Sequence, residues 1–470
     1  MIAGNDTPEI KVIQTNEGAK DGQNKCPKCG ATDISLNIGS SMLRCNFCRH
    51  EFQPERAVGM DTDVSKLEGK IVGSGAMNID AGTDDIVTLK CSSCGAEVVI
   101  DTNESVGARC HWCRNTLSLA EQVPNGAVPD MVLPFAVIKN DAEAEIDKFV
   151  QKRQFYAHPT FKEEFCAENV MGVYLPYMVV DKNTHASFSG QGERLVRKYT
   201  VGSGNNQRTV YDADLYDVER EFDLTIEGLT IISSSDKLDK TSDRTNNIIN
   251  AIKPFDVENC TKWDANYLKG MASEKRDTNV DDLLRSVDIK AKDIARHCAN
   301  ETLKEYDRGV RWRNEKLDVI GQKWKASYMP VWLYSYQQKL NDGSNLLHYV
   351  AVNARNKKTM GSVPVNKARL FLVSLIVQII GTIAGLFLTF SLFALDVDEA
   401  WLALALLSSG FLYYYYIYMK YRNKKARFNH ETDTKTSISN VIKKDGFVKQ
   451  LKRLRNSKME NANNMDVRYR

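Results

Sequence analysis

Eight of the eleven cysteines in this chain fall in four C-x-x-C pairs, and their spacing constrains the fold more than any other feature. Cys26 and Cys29 are followed after fifteen residues by Cys45 and Cys48, and Cys91 and Cys94 after the same fifteen by Cys110 and Cys113. Gly30 and Gly95 follow the second cysteine of each unit, Arg44 and Arg109 precede the third, and Arg49 and Arg114 follow the fourth, so the unit repeats at an offset of 65 residues. Two thiolates two residues apart on a tight turn grip one side of a metal ion, and a short hairpin brings up the other pair. Glycine after the second cysteine permits the positive φ that such a turn needs. The pattern therefore predicts two small β zinc ribbons, at 25–56 and 86–118, each holding one zinc ion on four thiolates.

Other uses of these cysteines are less consistent with the residues. Residues 1–24 are polar and lack the apolar stretch of a secretory signal, so the amino terminus is expected in the reducing cytoplasm, where disulfides are rare. Iron shares the four-sulfur geometry, and the spacing favours zinc. His50 and His111 are neighbours of sites that four thiolates already close. Cys166, Cys260 and Cys298 are isolated and read as ordinary thiols. The units resemble zinc ribbons of the transcription factor IIB type, which serve nucleic-acid binding, protein docking and local folding alike. Here 25–56 is mildly basic and 86–118 is balanced, which favours docking or a structural role over a phosphate groove. Residues 57–85 read as a linker.

The second constraint lies near the other end. Residues 370–395 contain no charge over 26 positions and residues 401–419 none over 19, separated by the acidic Asp396–Ala400. A helix needs about 20 apolar residues to cross the hydrocarbon. The mean hydropathy of −0.39 excludes a polytopic transporter but not such a pair of spans. Arg355, Lys357, Lys358, Lys367 and Arg369 precede the first run, and Lys420, Arg422, Lys424, Lys425 and Arg427 follow the second. The positive-inside rule then predicts a two-pass hairpin with both termini cytoplasmic. Trp401 would sit at the outer interface and Tyr413–Tyr416, Tyr418 and Tyr421 would form a belt at the inner one. Gly381 and Gly385 form a small-xxx-small motif for helix packing. Gln378 is the one strongly polar side chain of the first run, which disfavours an ion pathway. The tail 420–470 carries 15 Lys+Arg against 5 Asp+Glu, a net of +10 in a chain of net +3. Its basic residues at the inner leaflet predict contact with anionic lipid, or protein docking, ahead of DNA binding.

Between ribbons and anchor, residues 130–365 read as an α+β domain. Met131–Phe135 suggests a strand, Asp141–Phe155 a helix, Asn169–Thr184 a strand, 185–232 several more, and 279–306 a long helix. Strands are expected again at 309–319, 325–339, 346–353 and 358–364. Tyr174-Leu175-Pro176-Tyr177 is echoed by Tyr328-Met329-Pro330-Val331, which suggests a duplication, with each proline marking a strand edge or bulge. No phosphate-binding loop, dinucleotide fingerprint, nucleophile elbow or H-E-x-x-H motif occurs, so no enzyme is expected. His158, His185 and His348 are scattered, and Asp212, Asp214 and Asp217 beside Tyr211 and Tyr216 read as a solvated acidic face.

The combination of ribbons, Leu-Pro-Phe strand, Leu175-Pro176-Tyr177 and Met329-Pro330-Val331 strands and membrane hairpin resembles a family of bacterial membrane-anchored proteins with a IIB-type zinc ribbon. Members are often labelled primosomal replication-restart helicases, but this chain has no ATPase motor motif. One protein of similar architecture in Gram-positive bacteria belongs to an envelope-stress module, working with a second membrane protein and a flotillin-like (SPFH-domain) protein to recruit phage shock protein A. The resemblance implies a membrane-anchored adaptor that forms oligomers or hetero-complexes. A membrane-tethered nucleic-acid factor is the alternative. Two complete ribbons depart from the simplest pattern of the family.

Overall fold

The computed structural model describes residues 11–13, 25–31, 33–54, 56–57, 63–77, 86–90, 97–101, 122–123, 129–202, 207–234, 252–274, 276–339, 345–394, 406–422 and 464–465. β1 (Lys11–Ile13) is followed by a three-stranded ribbon sheet of β2 (Ile34–Asn37), β3 (Met42–Cys45) and β4 (Glu51–Phe52). Then come β5 (Gly69–Gly73), the hairpin of β6 (Ile86–Lys90) and β7 (Glu97–Asp101), and β8 (Gln122–Val123). The β-rich middle begins with β9 (Met131–Val132), α1 (Lys139–Gln151), α2 (Pro159–Glu164), β10 (Met171–Val201) and β11 (Arg208–Ile232). It continues with β12 (Thr261–Lys262), β13 (Ala272–Glu274), α3 (Val280–Glu301), β14 (Val310–Lys339), β15 (Asn345–Asn353) and β16 (Thr359–Gly361). The last elements are α4 (Lys367–Ala394), α5 (Ser409–Arg422) and β17 (Asn464–Met465).

Among the described residues, the strands outside the ribbon join one 14-stranded sheet, whose centre is the antiparallel pair β10 and β14. The several short strands expected over 185–232 and 309–339 are instead three long ones. Register shifts at Val180/Lys182 and Leu195/Arg197 in β10, and facing β14 at Asn183/Thr184 and Ser189/Gly190, move the side-chain pattern to the other face. Each shift interrupts the two-residue alternation, so one bent strand reads in sequence as several.

The two Tyr-apolar-Pro stretches lie directly against each other. Leu175 faces Met329, Tyr174 faces Pro330 and Pro176 faces Tyr328. This places both prolines in central strands, which corrects the expectation of strand edges or bulges. What spares each proline is a change of partner on its other side. β10 pairs with β13 in parallel at Val173–Tyr174 and with β11 in antiparallel from Tyr177 onward, leaving Pro176 at the junction. β14 pairs with β9 in parallel at Ser327–Tyr328 and with β15 in antiparallel from Val331 onward, leaving Pro330 at the same place. A residue with no N–H fits where one neighbour ends and the next begins. The order strand, helix, long strand, hairpin partner thus occurs twice, as β9-α1-β10-β11 and β13-α3-β14-β15. The short first strand of each half pairs with the long strand of the other.

Both faces of the crossing are buried. Val173, Leu175, Tyr177, Met329, Val331 and Leu333 meet Phe255, Val257 and Cys260 on one side. Tyr174, Tyr328 and Trp332 meet Phe135, Ile146 and Phe161 on the other. Further along, Leu283, Val287, Ile294 and Cys298 of α3 cover Phe188, Phe222, Leu224 and Trp324. α3 starts with a capping box between Asn279 and Asp282, which satisfies two otherwise orphaned N–H donors.

Residues 63–77, part of the stretch expected as a linker, contribute to this core. β5 lies parallel to β14 with Gly69 opposite Gly321 and Val72 opposite Trp324. A Cβ on Gly321 would fall on the Leu67 carbonyl, so this strand position needs glycine for the close backbone approach. Beyond β5 the chain is clasped by two buried residues of opposite charge, each bonded to the backbone. The Asp130 carboxylate accepts the N–H groups of Gly75 and Ala326, both at 2.7 Å, and the Ser74 hydroxyl. Arg276 donates to the carbonyls of Ala76 and Met77. Burial pulls the Arg276 guanidinium down to about 10, against the opposing pull of Asp130.

One buried charge works against the fold. Lys253 is fully enclosed, donates to the Thr230 carbonyl at 2.7 Å and lies 5.6 Å from the Tyr177 ring centre. Burial lowers its ammonium from the ordinary 10.5 to about 7. Between these values the unfolded chain binds a proton that the folded chain does not, so stability rises with pH across that window. Lys253→Met is expected to raise stability at neutral pH by ~2 kcal/mol and to flatten the rise, read from thermal unfolding between pH 7 and 10.

α4 is long and apolar enough to cross a membrane, and most of its surface is exposed. α5 lies against it. A Cβ on Gly381 would fall on the Ser409 hydroxyl, so that glycine is used within the chain; Gly385 is also buried. The Gln378 amide donates to the Leu407 carbonyl and accepts the Gly410 N–H at 3.0 Å. The polar side chain of the apolar run therefore satisfies backbone groups at the start of α5.

Candidate metal centre

Cys26, Cys29, Cys45 and Cys48 converge at the end of the ribbon sheet, with all four sulfurs within 4.8 Å of one another. Both knuckles fold alike. Gly30 N–H donates to the Cys26 carbonyl at 2.8 Å, and Arg49 N–H to the Cys45 carbonyl at 2.9 Å. The residue closing each turn has positive φ, 73° at Gly30 and 60° at Arg49. Glycine was legible as the first of these. The second is an arginine in the left-handed region, at a cost of ~1 kcal/mol that the surrounding structure must offset.

The sulfurs fit a tetrahedral ion. Cys26 Sγ to Cys48 Sγ and Cys29 Sγ to Cys45 Sγ are each 3.6 Å. A Zn–S bond of about 2.3 Å gives a tetrahedron edge of about 3.8 Å. The thiols also need a cation. Burial opposes ionisation of Cys26, but the N–H groups of Cys29 and Lys28 and adjoining thiols bring it down to about 7. The Ala31 N–H favours the Cys29 thiolate, yet burial and the three neighbouring sulfurs push it up to about 12. One thiolate suppresses the next, and a dication is what lets all four ionise together. These residues can hold one metal ion. Cys91, Cys94, Cys110 and Cys113 lie outside the described residues, as do Lys424, Lys425 and Arg427.

Strand alternation turns Leu43 and Cys45 inward and Arg44 outward. On that outer face Ser35, Leu36, Asn37, Arg44, Asn46 and Arg49 line a polar depression of about 280 Å³. The ribbon's inner face joins the body: Cys26, Ile34, Leu43 and Cys45 belong to the cluster of Phe135, Tyr174, Trp263 and Tyr267. That same cluster reaches Leu370 of α4 and Tyr421 of α5. The ribbon's exit is fixed by Ala57 N–H donating to the Cys260 carbonyl at 2.8 Å and Lys325 Nζ to the Ala57 carbonyl at 2.9 Å.

Several other residues singled out in sequence have structural partners, while the His158 Nδ1 is buried without one among the described residues. His185 lies between Asp223, at 2.7 Å, and Glu221, at 2.9 Å, which hold its imidazole above its usual range. Asp212 pairs with Arg197. His348 is buried against Ser362 and Gln338, and Cys260 and Cys298 are buried thiols raised to about 12 by desolvation. The tyrosines of α5 do not form a simple belt. Tyr413 OH meets Tyr156 OH at 2.7 Å and Tyr421 OH accepts the Tyr156 N–H, while Tyr415 and Tyr416 face outward. Sequence reasoning missed these contacts because residue 156 is some 260 positions away in the chain.

No family model matches the chain, and no solved structure matches it. It is similar to the uncharacterized protein YdjG of Bacillus subtilis (strain 168), at 21% identity over 346 residues, covering 73% of this chain and 91% of that protein.

Proposed function

We propose that this protein is a membrane-anchored zinc-ribbon adaptor without enzymatic activity that assembles a membrane protein complex. Envelope stress or membrane organisation is its setting, and a flotillin-like protein and other membrane proteins are its partners. The observation that carries this reading is the continuous core joining the metal-binding ribbon, the β-rich body and the ends of α4 and α5. A ribbon packed in this way is held at a set place relative to the anchor, as a docking platform requires. In this reading residues 370–395 and 401–419 are two membrane passes with both termini cytoplasmic. The second cysteine unit, 86–118, binds a second zinc ion. The basic residues Lys420, Arg422, Lys424, Lys425 and Arg427 meet anionic lipid. The recurrence of strand order in the body reflects duplication.

The test is capture of the tagged full-length protein in mild detergent, with mass spectrometry of what accompanies it. Co-purification of a flotillin-like protein and phage shock protein A, unaffected by nuclease, is the expected result. A monomer that captures neither contradicts the adaptor. The polar depression bearing Arg44 and Arg49 favours one other reading, a membrane-tethered nucleic-acid factor. That reading requires a gel shift at low salt that weakens steeply as salt rises.

A further inference from the structure

The loop after α1 is far in sequence from the apolar helices, yet it is built onto their ends. Tyr156 N–H donates to Tyr421 OH at 3.2 Å, and Asn366 N–H donates to the Tyr156 carbonyl at 2.8 Å. The guanidinium of Arg369, in the first turn of α4, lies 4.2 Å from the centre of the Phe155 ring. Phe155 is 55% exposed although apolar. Lys152, Lys367, Arg369 and Lys420 lie within three residues of these contacts in sequence and are also exposed; among the described residues none of the four forms an ion pair. Arg369 and Lys420 flank the uncharged stretches, so they mark the polar boundary of the span. Contact with Arg369 puts Phe155 at that same level.

We propose that this loop is a second membrane contact, in which Phe155 enters the headgroup layer of the inner leaflet while Lys152, Lys367, Arg369 and Lys420 bind anionic phospholipid headgroups. This rests on the anchor reading above. An aromatic ring whose one face carries a guanidinium suits the boundary between acyl chain and headgroup. Four exposed cations next in sequence to the ends of the span and to Phe155 select anionic over zwitterionic lipid. The contact would fix the tilt of the body over the bilayer, which two helices alone leave free.

The full chain is reconstituted in bilayers of equal phosphatidylglycerol and phosphatidylcholine, with p-benzoylphenylalanine replacing Phe155, Phe390 or Phe47 in turn. Phe390 is an outward-facing residue of α4 and Phe47 an exposed residue of the ribbon. After irradiation, lipid adducts are expected at 390 and 155 and not at 47. The adduct at 155 should be enriched several-fold in phosphatidylglycerol, and Lys152→Glu with Lys367→Glu should remove that enrichment. Adducts at 390 without any at 155, or equal capture of the two lipids at 155, overturn the proposal and leave the anchor standing. No adduct at either 390 or 155 overturns the anchor reading itself.

Discussion

Cys45→Ser is expected to remove the metal of the first ribbon and unfold residues 25–54. The four sulfurs there are close enough to hold one ion, and the ribbon's own fully buried apolar core is little more than Ile34 and Leu43. So small a core does not hold three short strands together, and the metal supplies the difference, ~10–16 kcal/mol for a structural zinc at neutral pH. Elemental analysis of the purified full chain should fall from two zinc ions to one in Cys45→Ser and also in Cys91→Ser, if each unit binds its own. Cys166→Ser, at an exposed and isolated thiol, should leave the content unchanged. Limited proteolysis should cut within 25–54 only in the first variant. Retention of the wild-type zinc content in Cys45→Ser would refute the four-thiolate site.

The second large effect is expected at Asp130→Ala. The substitution strands the buried N–H groups of Gly75 and Ala326 and removes the stronger of the two carboxylate charges acting on the Arg276 guanidinium, leaving Asp277. Each orphaned donor costs about 1–3 kcal/mol, and Arg276 loses one of the two carboxylates whose charge favours its own. These overlap, so ~4 kcal/mol is expected overall, with β5 and residues 74–77 released first. Urea unfolding gives the total, and amide exchange at residues 69–77 gives the order of events. Exchange there as slow as in the wild type would contradict the clasp. Arg276→Met tests the other side and should also free residues 74–77.

The metal site was legible because its information is local. A thiolate pair two residues apart, a turn and a second pair determine their own geometry within one short hairpin, whatever the rest of the chain does. α4 was legible for a related reason: an uncharged run of that length has few places to go. The long strands were not legible as single elements, because bulges at Val180/Lys182 and Leu195/Arg197 reset the alternation that reveals a strand. The prolines misled for a more specific reason. Pro176 and Pro330 look like strand ends to a reader of one strand, and only the junction of two neighbouring strands makes them acceptable in the centre of a sheet.

Residues 69–77 show the same limit from another direction. They are short, polar in part and rich in glycine, which reads as linker. Their place in the core depends on Gly321, Asp130 and Arg276, none of which lies within 50 residues of them. The tyrosines of α5 divide into those that face Tyr156 and those that face outward, a distinction that amphipathic periodicity cannot make when both faces carry the same residue type.

The amino-acid sequence by itself thus determined the four-cysteine cluster at 26–48 and the apolar helix, since short-range spacing suffices for the one and the absence of charge over a long run for the other. Tertiary structure alone decided which strands meet, that the two Tyr-apolar-Pro stretches pair face to face, and that ribbon, body and helix ends share one core. Those outcomes depend on contacts between residues tens to hundreds of positions apart. Their energy comes from the fit of surfaces that exist only once the chain has brought them together.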